Sequence, residues 1–195
     1  MRFREITEST SSLLYHMMGY DKTLAVLKSD ELEGRWESEI PGLGRFTGTS
    51  MTRSRHKILG RCIRLVVNRS RLQQKHRIIP VDGDIVFRHT GGYSSSGVSS
   101  RSQNSYGSDH AWSEEFVVGS VKPLHDYLAR IDLLYPNPMD QQERLPAANA
   151  IEMRDVCLEY GKRFSIPINV TAPYAAFIAK EEKRWADEEA EEYDD

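Results

Sequence analysis

The chain has little cysteine, no long apolar run and almost no net charge, and each shortage excludes a class of protein. Its two cysteines, Cys62 and Cys157, stand far apart, with no Cys-x-x-Cys or Cys/His spacing beside them. Neither a disulfide framework nor a structural zinc centre can be built from them, so both read as buried free thiols in a reducing compartment and no metal is expected. No apolar stretch approaches the roughly 20 residues that a bilayer-spanning helix needs. The opening Met1-Arg2-Phe3-Arg4-Glu5-Ile6 lacks the apolar segment of a secretory signal. A cytoplasmic protein that does not engage membranes is expected. Formal net charge is only -3, from 26 Lys and Arg against 29 Asp and Glu. Bulk charge therefore names no partner. No internal repeat is present.

What remains is an ordinary globular composition, 39% hydrophobic and 28% charged over 195 residues, enough for one sizeable core. Charge is unevenly placed. Arg53, Arg55, Lys57, Arg61, Arg64, Arg69, Arg71, Lys75, Arg77 and Arg88 face only Asp82 and Asp84 as opposing charges in the same stretch, and nucleic-acid binding there is a possible use. The end is the reverse, with Glu188, Glu189, Glu191, Glu192, Asp194 and Asp195 crowded together. Four segments follow: a polar lead-in over 1–12, a principal domain over 13–135, a C-terminal helical extension over 136–180 and an acidic tail over 181–195.

Hydrophobic periodicity gives the elements. Leu13 to Met18 reads as a buried strand, and Cys62 to Asn68 as a strand with one apolar face, Ile63, Leu65 and Val67, and one mixed face, Arg64, Val66 and Asn68. Leu24, Leu27 and Leu32 fit a helix that Asp21 would cap. Residues 33–44, with Gly34, Pro41, Gly42 and Gly44, read as a loop, and a strand begins near Thr47 and ends near Arg53. Residues 69–77 read as a basic turn or short helix, and Pro80 suggests an edge for the extended piece beside it. The stretch 88–111, rich in Ser and Gly, reads either as a long functional loop carrying Tyr93, Arg101 and Tyr106 or as a flexible Ser/Gly insertion. Lys122 to Leu128 reads as a short helix and 131–134 as a strand. Two helices, over 147–163 and 173–190, flank a last edge strand or docked extended piece over 166–170.

The most informative stretch begins at Ser113. Glu114 and Glu115 head a period-two run, Phe116-Val117-Val118, so Trp112, Glu114, Phe116 and Val118 share one face of a strand and Ser113, Glu115, Val117 and Gly119 the other. The aromatic face reads as core. Glu115, among small neighbours, is left either to look into a cleft or to be a solvated charge at the strand start.

Three pieces in order, Leu13-Leu14-Tyr15-His16, the hydroxyl-rich Thr49-Ser50-Met51-Thr52, and Glu115-Phe116-Val117-Val118 followed by Leu124, Tyr127-Leu128 and Ile131, together resemble the ADP-ribosyltransferase fold. The likeness is to the poly-ADP-ribose polymerase and diphtheria-toxin branch and covers roughly residues 13–135. It implies an α+β protein, a split β-sandwich with peripheral helices, using NAD+ as substrate. It also implies a mono-ADP-ribosyltransferase acting on a macromolecular acceptor, protein or nucleic acid, met by the 88–111 loop. Glu115 would stabilise the oxocarbenium-like charge that develops as the nicotinamide bond breaks. Tyr15, His16, Met17, Ser50, Thr52 and Arg53 would line the cofactor site, His16 holding a ribose, Ser50 or Thr52 orienting Glu115 or a ribose, and Arg53 near the pyrophosphate.

The sequence departs from the family in three places. Met17 stands where glycine usually follows the histidine, and Ser50 where the middle strand usually has tyrosine. Ser113 stands where arginine-modifying members carry a further glutamate. The alternative is a catalytically silent domain of the same fold, serving as a binding or structural component of a larger particle. The lead-in resembles the starts of proteins from large tailed bacteriophages, which suits either an injected effector or a virion component.

Overall fold

The computed structural model describes residues 12–34, 36–40, 44–53, 61–80, 86–89, 98–99, 114–134 and 146–192. The protein is mixed α+β. Its elements are β1 (Leu13–Met18), α1 (Tyr20–Ser29), β2 (Trp36–Ile40), β3 (Gly44–Thr52), β4 (Ile63–Asn68), α2 (Arg69–Gln73), β5 (Ile78–Pro80), β6 (Val86–His89), β7 (Val98–Ser99), β8 (Glu114–Val118), a 3-10 turn (Leu124–Asp126), β9 (Leu128–Leu133), α3 (Ala147–Phe164), β10 (Ile168–Val170) and α4 (Ala172–Glu192).

The strands form one sheet in the order β10-β9-β4-β1-β3-β2-β6-β7, with β8 on β3 and β5 on β8. Its organising strand is β3. At Gly48 it pairs with both Trp36 of β2 and Val118 of β8, and at Thr52 with both Tyr15 of β1 and Glu114 of β8. Because a strand has two edges, β8 takes one of them while β2 and β1 share the other, end to end. The sheet is therefore split along that edge between Gly48 and Thr52, where β1 and β2 part.

Sequence and packing agree on why the central strands sit where they do. In β1 and β4 both faces are buried, Leu14 and Met18 with Ile63, Leu65 and Val67 on one side, Tyr15 and Val66 on the other. Continuous apolar runs of this kind suit strands covered on both faces. The first face joins Met51 and Val117 to Val26 and Leu27 of α1 and to Met153, Cys157 and Tyr160 of α3 in one core. The buried positions of α3, Ala150, Met153, Cys157 and Tyr160, step by three and four, which is the stripe a helix presents to a sheet. Asp30 ends α1 in the left-handed region at φ 52, its N–H bonded to the Val26 carbonyl. Its carboxylate then accepts from the His125 N–H at 3.0 Å, from the His125 ring and from the Tyr160 hydroxyl, tying α1 to the 3-10 turn and to α3.

Several expectations are corrected. The 33–44 loop contains β2, whose five residues sit between Gly34 and Pro41-Gly42, and β3 starts at Gly44 rather than Thr47. Gly19, not Asp21, is the N-cap of α1. Lys122 to Leu128 makes a single 3-10 turn, and β9 begins at Leu128 because it pairs along β4 from Val67 onwards. Beyond residue 135, β10 pairs in parallel with β9 as the last strand of the sheet, and Tyr174 and Ile178 of α4 lie in the common core. Most of the 88–111 loop, with Tyr93 and Arg101, lies outside the described residues, as do residues 1–11 and 193–195.

Candidate functional site

Glu115 is the second residue of β8, directly opposite Met51 of β3. Facing residues of an antiparallel pair project to the same side, so Glu115 shares its face with Met51 and Val117. That face belongs to the main core, which overturns the expectation that the Glu115 face is open and leaves standing the one that the Phe116 face is buried. Both faces of β8 are in fact buried, with Phe116 and Val117 at 0% exposure and Glu115 at 1%.

A carboxylate so deep needs partners, and two arginines supply them. Arg53, just past the end of β3, donates from Nε to Oε1 at 2.7 Å and also from Nη2. Arg69, the first residue of α2, donates from Nε to Oε1 and Oε2 at 3.0 and 2.7 Å, and from Nη1 to the Gln73 side chain at 2.9 Å. The local fold explains Arg69. Asn68 ends β4 and caps α2 by accepting from the Arg71 N–H at 3.0 Å, which turns the chain so that Arg69 follows the strand end closest to β8's start. Its own N–H bonds the Ser12 carbonyl, pinning it beside the start of β1.

His16 lies on the same face of the sheet as Glu115, since Tyr15 pairs with Thr52 and the side chains alternate from there. Its ring bridges the split. Nδ1 is 2.9 Å from the Ser50 carbonyl, which can only accept, so Nδ1 carries the proton and Nε2 is the acceptor facing Lys22 Nζ of α1 at 3.4 Å. Burial, reinforced by the Lys22 ammonium and only partly offset by the Ser50 carbonyl, pulls the imidazole pKa down to about 3. It is a neutral ring with both nitrogens engaged.

The other expected residues fall elsewhere. Ser50 and Thr52 stand opposite Phe116 and Glu114, so they project to the face away from Glu115 and His16. A hydroxyl there does not orient Glu115. Tyr15 and Met17 alternate onto that same far face, where the Arg64 guanidinium lies 5.3 Å from the centre of the Tyr15 ring. Thus Glu115, His16 and Arg53 are brought to one side, and Tyr15, Met17, Ser50 and Thr52 to the other. Among the described residues no group of His, Cys, Asp and Glu could hold a metal ion, and no helix is long and apolar enough to cross a membrane.

Two polar constellations were not foreseen. Arg69 carried no signal, because an arginine in a basic segment reads as solvated. On the far face Asp132 is wholly buried and accepts from Arg64, Arg130 and Asn169 at 2.8, 2.8 and 3.0 Å. Burial alone would raise its pKa, but the bonds from Arg130, Asn169 and Arg64 prevail and hold it below the usual carboxylate value. This group joins β4, β9 and β10 and reads as structural.

Comparison of the chain with protein-family models, with curated proteins and with solved structures finds no match.

Proposed function

We propose that the chain is a binding domain on an ADP-ribosyltransferase-like split sheet, without transferase activity of its own, in keeping with a component of a larger particle such as a virion. The observation that carries this reading is the state of Glu115. To favour an oxocarbenium-like transition state a carboxylate must present uncompensated negative charge to it. Here the charge is already neutralised by two guanidiniums, and detaching a buried ion pair is costly. The engagement of both His16 nitrogens and the placement of Ser50 and Thr52 on the far face support the same conclusion.

One observation favours the second reading, a mono-ADP-ribosyltransferase that uses NAD+ to modify a protein or nucleic acid: His16 and Glu115 share a face at the split in the sheet. Incubation with NAD+ labelled in the adenylate moiety and a cell lysate separates the two. The binding reading expects no label on macromolecules above background, with Glu115→Gln indistinguishable from the parent chain. Transfer of label that disappears in Glu115→Gln would establish the transferase instead.

A further inference from the structure

We infer that the outer side of α2 and of the turn that follows it, carrying Arg71, Lys75 and Arg77, is a docking surface for the phosphodiester backbone of a nucleic acid, contacted without regard to base sequence. This deepens the binding reading above by naming the partner, and rests on it. The fold sorts the cations of the basic segment into two groups. Arg53 and Arg69 are matched by Glu115, and Arg64 by Asp132. Arg71, Lys75 and Arg77 are exposed, and no carboxylate among the described residues pairs with them. Leu72 is the one buried residue of 69–77, so this stretch is a ridge held down at a single apolar point. Polar contacts fix the rest. The Arg69 N–H bonds the Ser12 carbonyl at 2.8 Å, its guanidinium bonds Glu115 and Gln73, and the Arg77 carbonyl accepts from the Val118 N–H at 2.9 Å. Between these ends the Lys75 and His76 N–H groups bond the Leu72 carbonyl at 3.2 and 2.9 Å. The backbone that carries the three cations is therefore set before a partner arrives, which lowers the ordering cost of binding, and the buried Glu115 has a use as its anchor.

The local field is positive although the chain as a whole is not, because residues 61–80 contain no acid. Topology keeps the acidic helix from starting there. α2 follows Asn68, which pairs with Leu13, whereas α4 follows Val170, which pairs with Leu133 and through it with Ile63 and Met18 at the other end of the strands. The three cations are spread along the ridge rather than gathered on one point, as contacts to successive phosphates require. The ridge carries no Phe, Tyr or Trp from 69 to 77, so it offers neither a platform on which bases stack nor the aromatic centre typical of a protein interface. With five residues α2 is only about 7.5 Å long, too short to lay a base-reading face along a groove. Backbone contact alone remains, and it positions a nucleic acid without reading it.

The test is fluorescence anisotropy of a labelled DNA duplex of about 20 base pairs, titrated with the full chain at salt concentrations between about 20 and 200 mM. Single-stranded DNA and RNA of the same sequence form two further arms. Saturable binding is expected, with the logarithm of the affinity falling against the logarithm of the salt concentration at a slope of about −2 to −3, the value for three phosphate contacts. Two duplexes of unrelated sequence should bind within about twofold of each other. Arg71→Gln, Lys75→Gln and Arg77→Gln should each weaken binding and reduce the slope by about one, whereas Lys162→Gln, at an exposed position in the last turn of α3, should change neither. A single strand that binds more tightly than the duplex through the same three residues would support the inference and identify the backbone. Absence of saturable binding in every arm would overturn it, as would an unchanged slope in the three variants or equal weakening by Lys162→Gln. So would a polyglutamate peptide that binds as tightly as the nucleic acid, which would make the ridge a surface for acidic proteins. No NAD+ is present, so failure here removes the partner and leaves the question of transferase activity to the labelled NAD+ assay.

Discussion

At the scale of single residues, the energetics of Glu115 follow from its two partners. Breaking a buried ion pair typically costs about 3–5 kcal/mol, and because the two guanidiniums left behind are themselves 28% and 20% exposed the loss lies toward the lower end of that range. Glutamine retains an acceptor oxygen, so Glu115→Gln is expected near the lower end, about 3 kcal/mol of unfolding free energy by urea titration. A loss below about 1 kcal/mol would mean that the guanidiniums find equivalent partners without the acid. His16 gives a second prediction, with a definite sign. Its folded pKa of about 3 lies below the ordinary value of 6.5, so between these pH values the unfolded chain binds the proton and the native one does not. The stability that the neutral ring contributes is fully present above pH 6.5 and declines as pH falls toward 3. His16→Gln, which can donate to the Ser50 carbonyl but does not titrate, should have a flatter stability profile through that range, measured by denaturant titration at successive pH values.

At the scale of elements, β3 carries the architecture because one strand serves three neighbours, and Gly48 is where the crowding is greatest. A Cβ at that position would lie 2.1 Å from the Val117 carbonyl oxygen and 2.8 Å from the Phe116 ring. The obstacle at the carbonyl is backbone, so β3 and β8 must separate to admit it. Gly48→Ala is expected to destabilise by about 3 kcal/mol, the upper end of the overpacking range, and to speed hydrogen exchange at the amides of β3 and β8. Unchanged exchange there would refute the close approach.

The same strand marks where the sequence is readable and where it is not. Runs such as Ile63 to Asn68 announce themselves because both faces demand apolar groups. β2 does not, since its five residues are enclosed by glycine and proline. That both faces of β8 are buried could not be read from the Glu115 side of the strand, where an acid among small neighbours suggests an opening. The partners of Glu115 were hidden for another reason: Arg53 and Arg69 lie 62 and 46 residues away in sequence, and only the antiparallel register of β3 with β8 and the turn after β4 bring them to it. Arg53 was anticipated beside a pyrophosphate, and the structure gives it a carboxylate. Local pattern identifies strands; it does not identify which distant charge a buried acid will meet.

At the scale of the whole molecule, the question is where an independently folding unit ends. The family resemblance stops near residue 135, which suggests a self-sufficient domain over 13–135 with a helical extension attached. The core argues otherwise. Leu14, Met18, Ile63, Leu65, Ile131 and Leu133 of the sheet share their cluster with Ala150, Met153, Cys157, Tyr160, Tyr174 and Ile178 from α3 and α4. At Gly161 a Cβ would meet the Ile166 carbonyl at 2.7 Å, so α3 is seated directly against the chain leading into β10, and β10 itself extends the sheet beyond β9. Each large aliphatic side chain returned to water forfeits roughly 1.5–3 kcal/mol, and a domain of this size has only about 5–15 kcal/mol of net stability. Removing residues 136–195 uncovers enough of these side chains to exceed that margin. A chain truncated after Tyr135 is therefore expected to show no cooperative thermal transition and to bind a hydrophobic dye, whereas one truncated after Glu192 should unfold like the parent. A sharp transition in the shorter chain would show that the sheet's helical face can close without α3 and α4.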